Sequence, residues 1–117
     1  MEESDIYQWN ALISESNWKK GQILSRAIVG KPTDGKCNKI ASLLGGITGH
    51  HVNRLVVTWR KFGRTRHNWK HLFWAHFFAA IEWDDAVYWL REANCRNWPV
   101  KEMKIRRWEA QSRITLS

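Results

Sequence analysis

The residues best suited to binding chemistry lie together near the middle of the chain, between positions 48 and 54. Asn53 and Arg54 are the side-chain types that form paired hydrogen bonds with the edges of adenine and guanine, respectively. His50 and His51 precede them and add further polar side chains. Chemistry of this kind recognises a nucleic acid without making or breaking bonds, so we expect a binding site here and no enzyme.

We predict a nucleic-acid interface of twelve residues in and around this segment. Lysines and arginines on such a surface contact phosphates and set the affinity, whereas polar side chains near a helix start reach the bases. The expected phosphate contacts are Lys36, Lys39, Arg60, Lys61, Arg64 and Arg66. The residues expected to face outward from the second helix are Thr48, Gly49, His50, His51, Asn53 and Arg54, of which the last four would read the sequence.

The charge distribution indicates a polyanionic partner. Residues 35–81, the basic segment, contain eight lysines and arginines and no aspartate or glutamate. The other residues carry eleven charges of each sign, so the formal net charge of +8 comes from the basic segment alone. A surface that needed only solubility would mix its signs, whereas a one-sign block creates a field that attracts polyanions. Double-stranded DNA is therefore the expected partner.

Other residues that could do chemistry have simpler structural explanations. His67 and His71 could share a metal ion, but no cysteine or carboxylate joins them nearby, so we expect no metal. Glu82, Asp84 and Asp85 could hold the metal of a nuclease, but they precede a predicted helix, where carboxylates favour the helix dipole. The chain has no phosphate-binding glycine loop or nucleophile elbow. We expect no catalytic residue and no cofactor.

The elements that must position these residues are helices, because apolar residues recur at steps of three and four. We predict an all-α helical bundle of about seven helices, with Thr48 and Asn68 as the caps of the fourth and fifth. The sixth helix should begin at Asp84 and Asp85 and bury Ala86, Trp89, Leu90 and Ala93. Breaks between helices are expected at residues 14–17, 30–35, 45–46, 60–66 and 94–97.

Residues 38–62 have the spacing of a helix-turn-helix. Ala41 is small where the two helices would cross, and Gly45 stands four residues later at the turn. Val52, with Leu55 or Val56, would clamp the second helix to the first. Val52 falls one residue later than in the tightest form, which predicts a slightly longer turn. The alternative is an ordinary helical hairpin.

Two predicted units divide the chain at residues 66 and 67. Residues 1–66 would hold the N-terminal helices and the helix-turn-helix, and residues 67–117 a Trp-rich C-terminal half that packs on it or dimerises. Helical spacing predicts a packed aromatic core for its tryptophans, rather than stacking on unpaired bases. His76 should lie in the core, with a hydrogen bond to the sixth or seventh helix. The tryptophans concerned are Trp69, Trp74, Trp83, Trp89, Trp98 and Trp108.

Several short motifs resemble bacterial DNA-binding proteins. Residues 18–24 are similar to the helix before the helix-turn-helix of many plasmid and phage proteins. Residues 74–77, 84–93 and 97–103 resemble a helical module that accompanies this motif in ParB/KorB-like partition and regulatory proteins, with Pro99 in place of the usual serine. A related module precedes the nuclease domain of some PD-(D/E)XK proteins, but this chain has neither that domain nor the ParB nucleotide-binding region. The resemblance implies DNA binding by a prokaryotic transcriptional regulator or an accessory protein of partition or a mobile element.

The remaining composition predicts neither membrane insertion nor export. Residues 72–81 form the longest apolar stretch, which is too short to span a bilayer. The acidic start lacks the features of a signal peptide, and two isolated cysteines, Cys37 and Cys95, favour a reducing compartment. We expect a cytoplasmic, nucleoid-associated protein with no membrane partner.

A second function class stays open beside DNA recognition. The chain could be a non-enzymatic helical adaptor or small subunit that binds a nucleic-acid backbone or a protein partner within a larger complex. Sequence preference separates the two classes, because phosphate contacts alone give none. In either class the Trp-rich C-terminal half would supply the surface for a homodimer or a protein partner.

Overall fold

The computed structural model of the chain describes residues 1–116, with the side chains of residues 1–113. This part of the chain is all-helical, which confirms the predicted fold class. A single turn of 3-10 helix lies at Arg66–Asn68. None of the described helices is both long and apolar enough to cross a membrane. The α-helices are α1 (Glu3–Ala27), α2 (Asp34–Leu44), α3 (Gly49–Phe62), α4 (Trp74–Ala80), α5 (Ala86–Arg96) and α6 (Val100–Leu116).

The predicted break at residues 14–17 is wrong, because α1 is continuous through it. Ser14 is buried in the middle of the helix, and its hydroxyl accepts a hydrogen bond of 2.8 Å from the backbone N–H of Trp74. Trp18 and Leu24 continue the buried face of the same helix. Tertiary packing of this face outweighs the weak helix propensity of serine and asparagine. The six α-helices in the described part of the chain therefore replace the expected seven.

A close crossing joins α1 to α3 at Gly21. A Cβ atom at this position would lie 2.8 Å from the carbonyl oxygen of Leu55 and 3.0 Å from the Cβ of Trp59. Only glycine allows the two helix backbones to approach this closely. The crossing fixes the position of α3 relative to the longest helix of the fold.

α2 and α3 follow each other across a turn of residues 45–48. Gly45 and Gly46 have φ values of 73° and 69°, so they end α2 as predicted. The Thr48 hydroxyl accepts a hydrogen bond of 3.1 Å from the N–H of His51, which confirms Thr48 as the cap of α3. α2 begins at Asp34, within the predicted break at residues 30–35, because Thr33 caps it by accepting a hydrogen bond from the N–H of Lys36.

The core lies between α3 and its neighbours. Val52, Leu55 and Val56 are fully buried, as the predicted stripe requires. Trp18 links α1 to the C-terminal half, with its ring centroid 4.5 Å from that of Trp74. The predicted aromatic core is present, although two tryptophans of the chain lie mainly in solvent: Trp9 and Trp108.

The predicted start of the fifth helix at Asn68 is also wrong. Asn68 closes the 3-10 turn, and α4 begins only at Trp74. Side chains hold the intervening backbone out of helical form: Asn94 accepts a hydrogen bond of 3.0 Å from the N–H of His71. The His76 ring accepts another, of 3.1 Å, from the N–H of Phe73. Asn94 lies 23 positions after His71, so its bond forms only in the packed fold. His76 lies in the first turn of α4, so its bond forms only once that helix has begun.

α5 and α6 form the end of the described fold. The predicted inner face of α5 is buried throughout, and the helix ends at Asn97, which is left-handed with φ of 55°. Asp85 stands at the start of α5, but its carboxylate accepts hydrogen bonds from Trp89 and Arg107 and so ties α5 to α6. The predicted division at residues 66 and 67 stays a prediction, and its second unit ends at residue 117, outside the described residues.

Candidate nucleic-acid interface

The side of α3 that faces away from the core carries a stripe of mainly basic residues. His50, Arg54, Val57 and Lys61 follow each other at steps of four and three, which places them on one face of the helix over about 17 Å of its axis. Arg64 lies two residues beyond the end of α3, in the turn that follows it. His50, Lys61 and Arg64 are exposed, whereas Arg54 and Val57 are partly buried. We call these four residues of the helix, together with Arg64 after it, the outer stripe of α3.

Arg54 does not point freely into solvent. Its guanidinium lies 3.1 Å from the carboxylate of Glu82 and 4.8 Å from the ring centroid of Phe78. Only 22% of the Arg54 side chain is exposed, against 79% of the Glu82 side chain. Arg54 must therefore leave Glu82 before it can form a paired hydrogen bond with a guanine.

Asn53 is also engaged within the protein. Its amide nitrogen donates a hydrogen bond of 2.8 Å to the carbonyl oxygen of Pro32, in the loop between α1 and α2. The side chain is partly buried in this contact. Asn53 therefore holds a loop in place, and the structure does not present it as a free reader of adenine.

Arg60 caps the C-terminal end of α1. Its guanidinium donates hydrogen bonds to the Ser25 hydroxyl at 2.9 Å, to the Ser25 carbonyl at 3.1 Å and to the Ile28 carbonyl at 2.7 Å. A further N–H bonds the carbonyl of Gly30. The last carbonyls of a helix lack partners within the helix and carry its negative dipole end, so a cation stabilises them.

Lys36 and Lys61 bind carbonyls in the same way. The Lys36 ammonium donates to the carbonyl of Val29 at 2.6 Å, directly after α1. The Lys61 ammonium donates to the carbonyl of Ile81 at 2.8 Å, directly after α4. A carbonyl group has no net charge, so these cations are held in place without being neutralised.

Arg66 lies in an aromatic groove beside α1. Its guanidinium carbon is 5.2 Å from the Trp18 ring centroid and 5.1 Å from that of Trp59, and it bonds the carbonyl of Gly63. Burial lowers the pKa of Arg66. Lys70 also lines this groove, whose volume is about 400 Å³. Arg66 is therefore turned away from the outer stripe toward α1.

The remaining predicted residues differ in how open they are. Lys39, His50 and His51 are exposed, and Thr48 uses its hydroxyl as the α3 cap. Gly49 packs so closely against α2 that a side chain there would collide with the carboxamide of Asn38. The structure thus leaves four of the twelve predicted residues exposed and without a side-chain hydrogen bond or ion pair among the described residues: Lys39, His50, His51 and Arg64.

Sequence reasoning missed the partner of Arg54. Glu82 is the first acidic residue after the basic segment, and it contacts Arg54 of α3, which lies 28 positions earlier in the chain. No local spacing links the two residues. The only sign of this contact in the sequence is that Glu82 directly follows the basic segment.

The described residues contain no cluster of three or more potential metal ligands. His76 is buried, and its Nε2 donates to the carbonyl of Trp98 at 2.8 Å. Burial lowers the pKa of His76, against two hydrogen bonds to the backbone that raise it. The prediction of a hydrogen-bonded core histidine is confirmed, although the partner lies in the connection before α6.

Protein-family models, curated proteins and solved structures were all compared with this chain, and none matches it. The similarity to ParB/KorB-like proteins therefore stays an expectation that rests on short motifs.

Proposed function

We propose that this chain binds double-stranded DNA through α2, the turn after it and the outer stripe of α3. The observation that carries the proposal is the stripe itself, which presents His50 and Lys61 to solvent on one helix face, with Arg64 exposed in the turn after the helix. A helix of this width fits the major groove of B-DNA. Lys39 on α2 is a further exposed cation.

Phosphate contacts dominate the proposed interaction. Lys61 keeps its charge while it binds a carbonyl, and Arg64 and Lys39 are exposed. Neutralising phosphates releases condensed counterions, which gives an affinity that falls steeply with salt. Asn53 and Arg54 add sequence preference only when Asn53 releases the Pro32 carbonyl and Arg54 releases Glu82 to bind base edges.

The occupied state of Asn53 and Arg54 favours a second candidate. A protein that follows the phosphate backbone without reading bases needs only the exposed cations. Such a protein would act as an adaptor or small subunit within a larger complex. The regulatory or partition role implied by the resemblance requires sequence preference, so the two candidates differ in one measurable property.

Salt titration tests the main proposal. We expect binding to a 20-base-pair duplex of random sequence, measured by fluorescence anisotropy, to weaken as NaCl rises. Arg64→Gln and Lys39→Gln should each reduce the slope of log K against log salt by about 1. Lys104→Gln removes an equal charge from an exposed position on α6 and serves as the matched control. An affinity unchanged by salt would rule out the proposal.

Sequence selection separates the two candidates. We expect Glu82→Gln to release Arg54 and to strengthen enrichment of guanine at one position in a random duplex library. Arg54→Gln should abolish that enrichment. If neither the natural chain nor the Glu82→Gln variant enriches any sequence, the adaptor is the better description.

A further inference from the structure

The solvent-facing side of α1 carries large apolar side chains. Ile6, Trp9, Leu12 and Ile13 have exposed fractions of 47%, 61%, 66% and 44%. They occupy an arc of about 120° on the helix, whose centre is opposite Trp18, the residue that packs on Trp59 of α3 and Trp74 of α4. Ile13, at the edge of the arc, also lines a groove with Trp74 and Trp98. We call these four residues the α1 stripe.

Such a face is unusual for a helix on the surface of a single chain. A helix of a globular protein normally turns its polar residues outward and buries its apolar ones. Exposed Trp9 alone leaves roughly 90–150 Å² of aromatic surface in water. A contiguous apolar patch of a few hundred Å² marks an interaction site.

The charges at the two ends of α1 identify the partner. Glu2 lies at its start and Lys20 near its other end, both on the side of the α1 stripe. Lys19 is already paired with Glu15 of the same helix at 3.0 Å. We propose that a second copy of this chain docks on the α1 stripe, with the two α1 helices antiparallel.

A two-fold axis near residue 11 satisfies the apolar and the charged positions together. It places Trp9 of one copy opposite Ile13 of the other, and Glu2 opposite Lys20. A parallel arrangement would instead bring the two acidic ends together. The same surface serves both copies, as a closed two-fold dimer requires.

This surface is separate from the proposed DNA surface. The α1 stripe faces away from α3, so pairing through it leaves the outer stripe of α3 uncovered. Dimerisation is therefore measured without DNA, and its outcome does not depend on DNA binding.

Sedimentation equilibrium of the full chain tests the proposal. We expect a dimer at micromolar concentrations, and a dissociation constant raised by about 100-fold or more in the double variant Trp9→Gln, Ile13→Gln. Both side chains are substantially exposed, so helical circular dichroism should stay unchanged. Val87→Gln alters an apolar residue of similar exposure on α5 and should leave the dimer intact. A monomeric natural chain, or a double variant that dimerises as well as the natural chain, would overturn the proposal.

Charge reversal tests the orientation. The variants Lys20→Glu and Glu2→Lys should each dimerise poorly, because each places like charges opposite one another. Mixed in equal amounts they should form a heterodimer, and both changes in one chain should restore the homodimer. A homodimer that is indifferent to either reversal would contradict the antiparallel arrangement.

Discussion

Two regions of the molecule hold their cations in different ways. In the C-terminal helices three arginines bind carboxylates, two of them one helical turn along the same helix and one across from α5 to α6. Each of these contacts neutralises the positive charge of its arginine. The ion pairs are Arg96–Glu92 at 3.1 Å, Arg106–Glu102 at 2.7 Å and Arg107–Asp85 at 2.9 Å.

In the basic segment the cations bind backbone carbonyls instead. Arg60 caps α1, Lys61 binds the end of α4, and Lys36 binds Val29, just beyond the end of α1. Only Arg54 has a carboxylate partner among the described side chains of this segment, and that partner, Glu82, lies just outside it.

The difference shows that a cation can stabilise a fold and still contribute to the long-range field. An ion pair cancels both charges, whereas a cation on a carbonyl retains its full charge. The basic segment therefore combines fixed side-chain positions with a positive potential. The C-terminal helices gain connections between helices but no net field from these pairs.

The largest expected effect comes from removing a carbonyl-bound cation. Arg60→Gln should lower the free energy of unfolding by about 2–3 kcal/mol, because several carbonyls near the end of α1 lose a charged donor. Urea denaturation followed by circular dichroism measures the change. Arg96→Gln is the matched control from the other region, and loss of its exposed pair should cost less than about 0.5 kcal/mol. Equal losses in the two variants would remove the distinction between the regions.

A smaller effect should appear when the pH is lowered. Burial lowers the pKa of His76 in the folded chain, so the unfolded chain binds its proton more readily. Stability from the neutral ring is complete above about pH 6.5 and declines as the pH falls below that value. We expect a loss of about 1–2 kcal/mol between pH 7 and pH 5, measured by urea denaturation.

The variant His76→Gln should flatten this pH profile, since it has no proton to gain. The exposed residue His67 provides the control, and His67→Gln should keep the slope. A steep profile that survives in His76→Gln would assign the acid sensitivity to another group.

The smallest effect concerns the ion pair between α5 and α6. Burial alone would raise the pKa of Asp85, but hydrogen bonds from Arg107 and Trp89 outweigh it and hold the pKa below its ordinary value. The contribution to stability is complete above pH 3.8 and is lost as the pH falls through the lowered value.

The carboxylate of Asp85 is 42% exposed, so this contribution should stay below about 1 kcal/mol. Urea denaturation at pH 5 and pH 3 should show it in the natural chain and not in Asp85→Asn. An acid loss of the same size in the variant would mean that the pair is unimportant even in this region.

Local patterns were sufficient to predict the all-helical fold and the buried face of α3. Val52, Leu55 and Val56 follow each other at helical spacing, and Thr48 stands just before them. The break predicted near Ser14 failed because the partner of that hydroxyl, Trp74, lies 60 positions away. Such a contact leaves no trace in neighbouring residues.

The candidate site could be predicted as a region but not residue by residue. The absence of acidic residues located the excess charge in the basic segment, but the structure divides its cations between the outer stripe of α3, the end of α1 and the groove beside α1. Arg60 and Arg64 have the same side chain and similar neighbours, yet only Arg60 meets the end of α1, 35 positions earlier. Which arginine is free depends on the path of a distant helix, and the local sequence does not contain that path.

The crossing at Gly21 has a consequence for how two copies would measure DNA. Because the backbones of α1 and α3 touch there, the α1 stripe and the outer stripe of α3 belong to one rigid body. In a dimer joined through α1, the distance between the two α3 helices is then fixed by the fold of each copy. A side chain at position 21 would push α3 away from α1. It would thereby change the distance between the two α3 helices of the dimer, and with it the spacing of the half-sites that they could contact along the duplex.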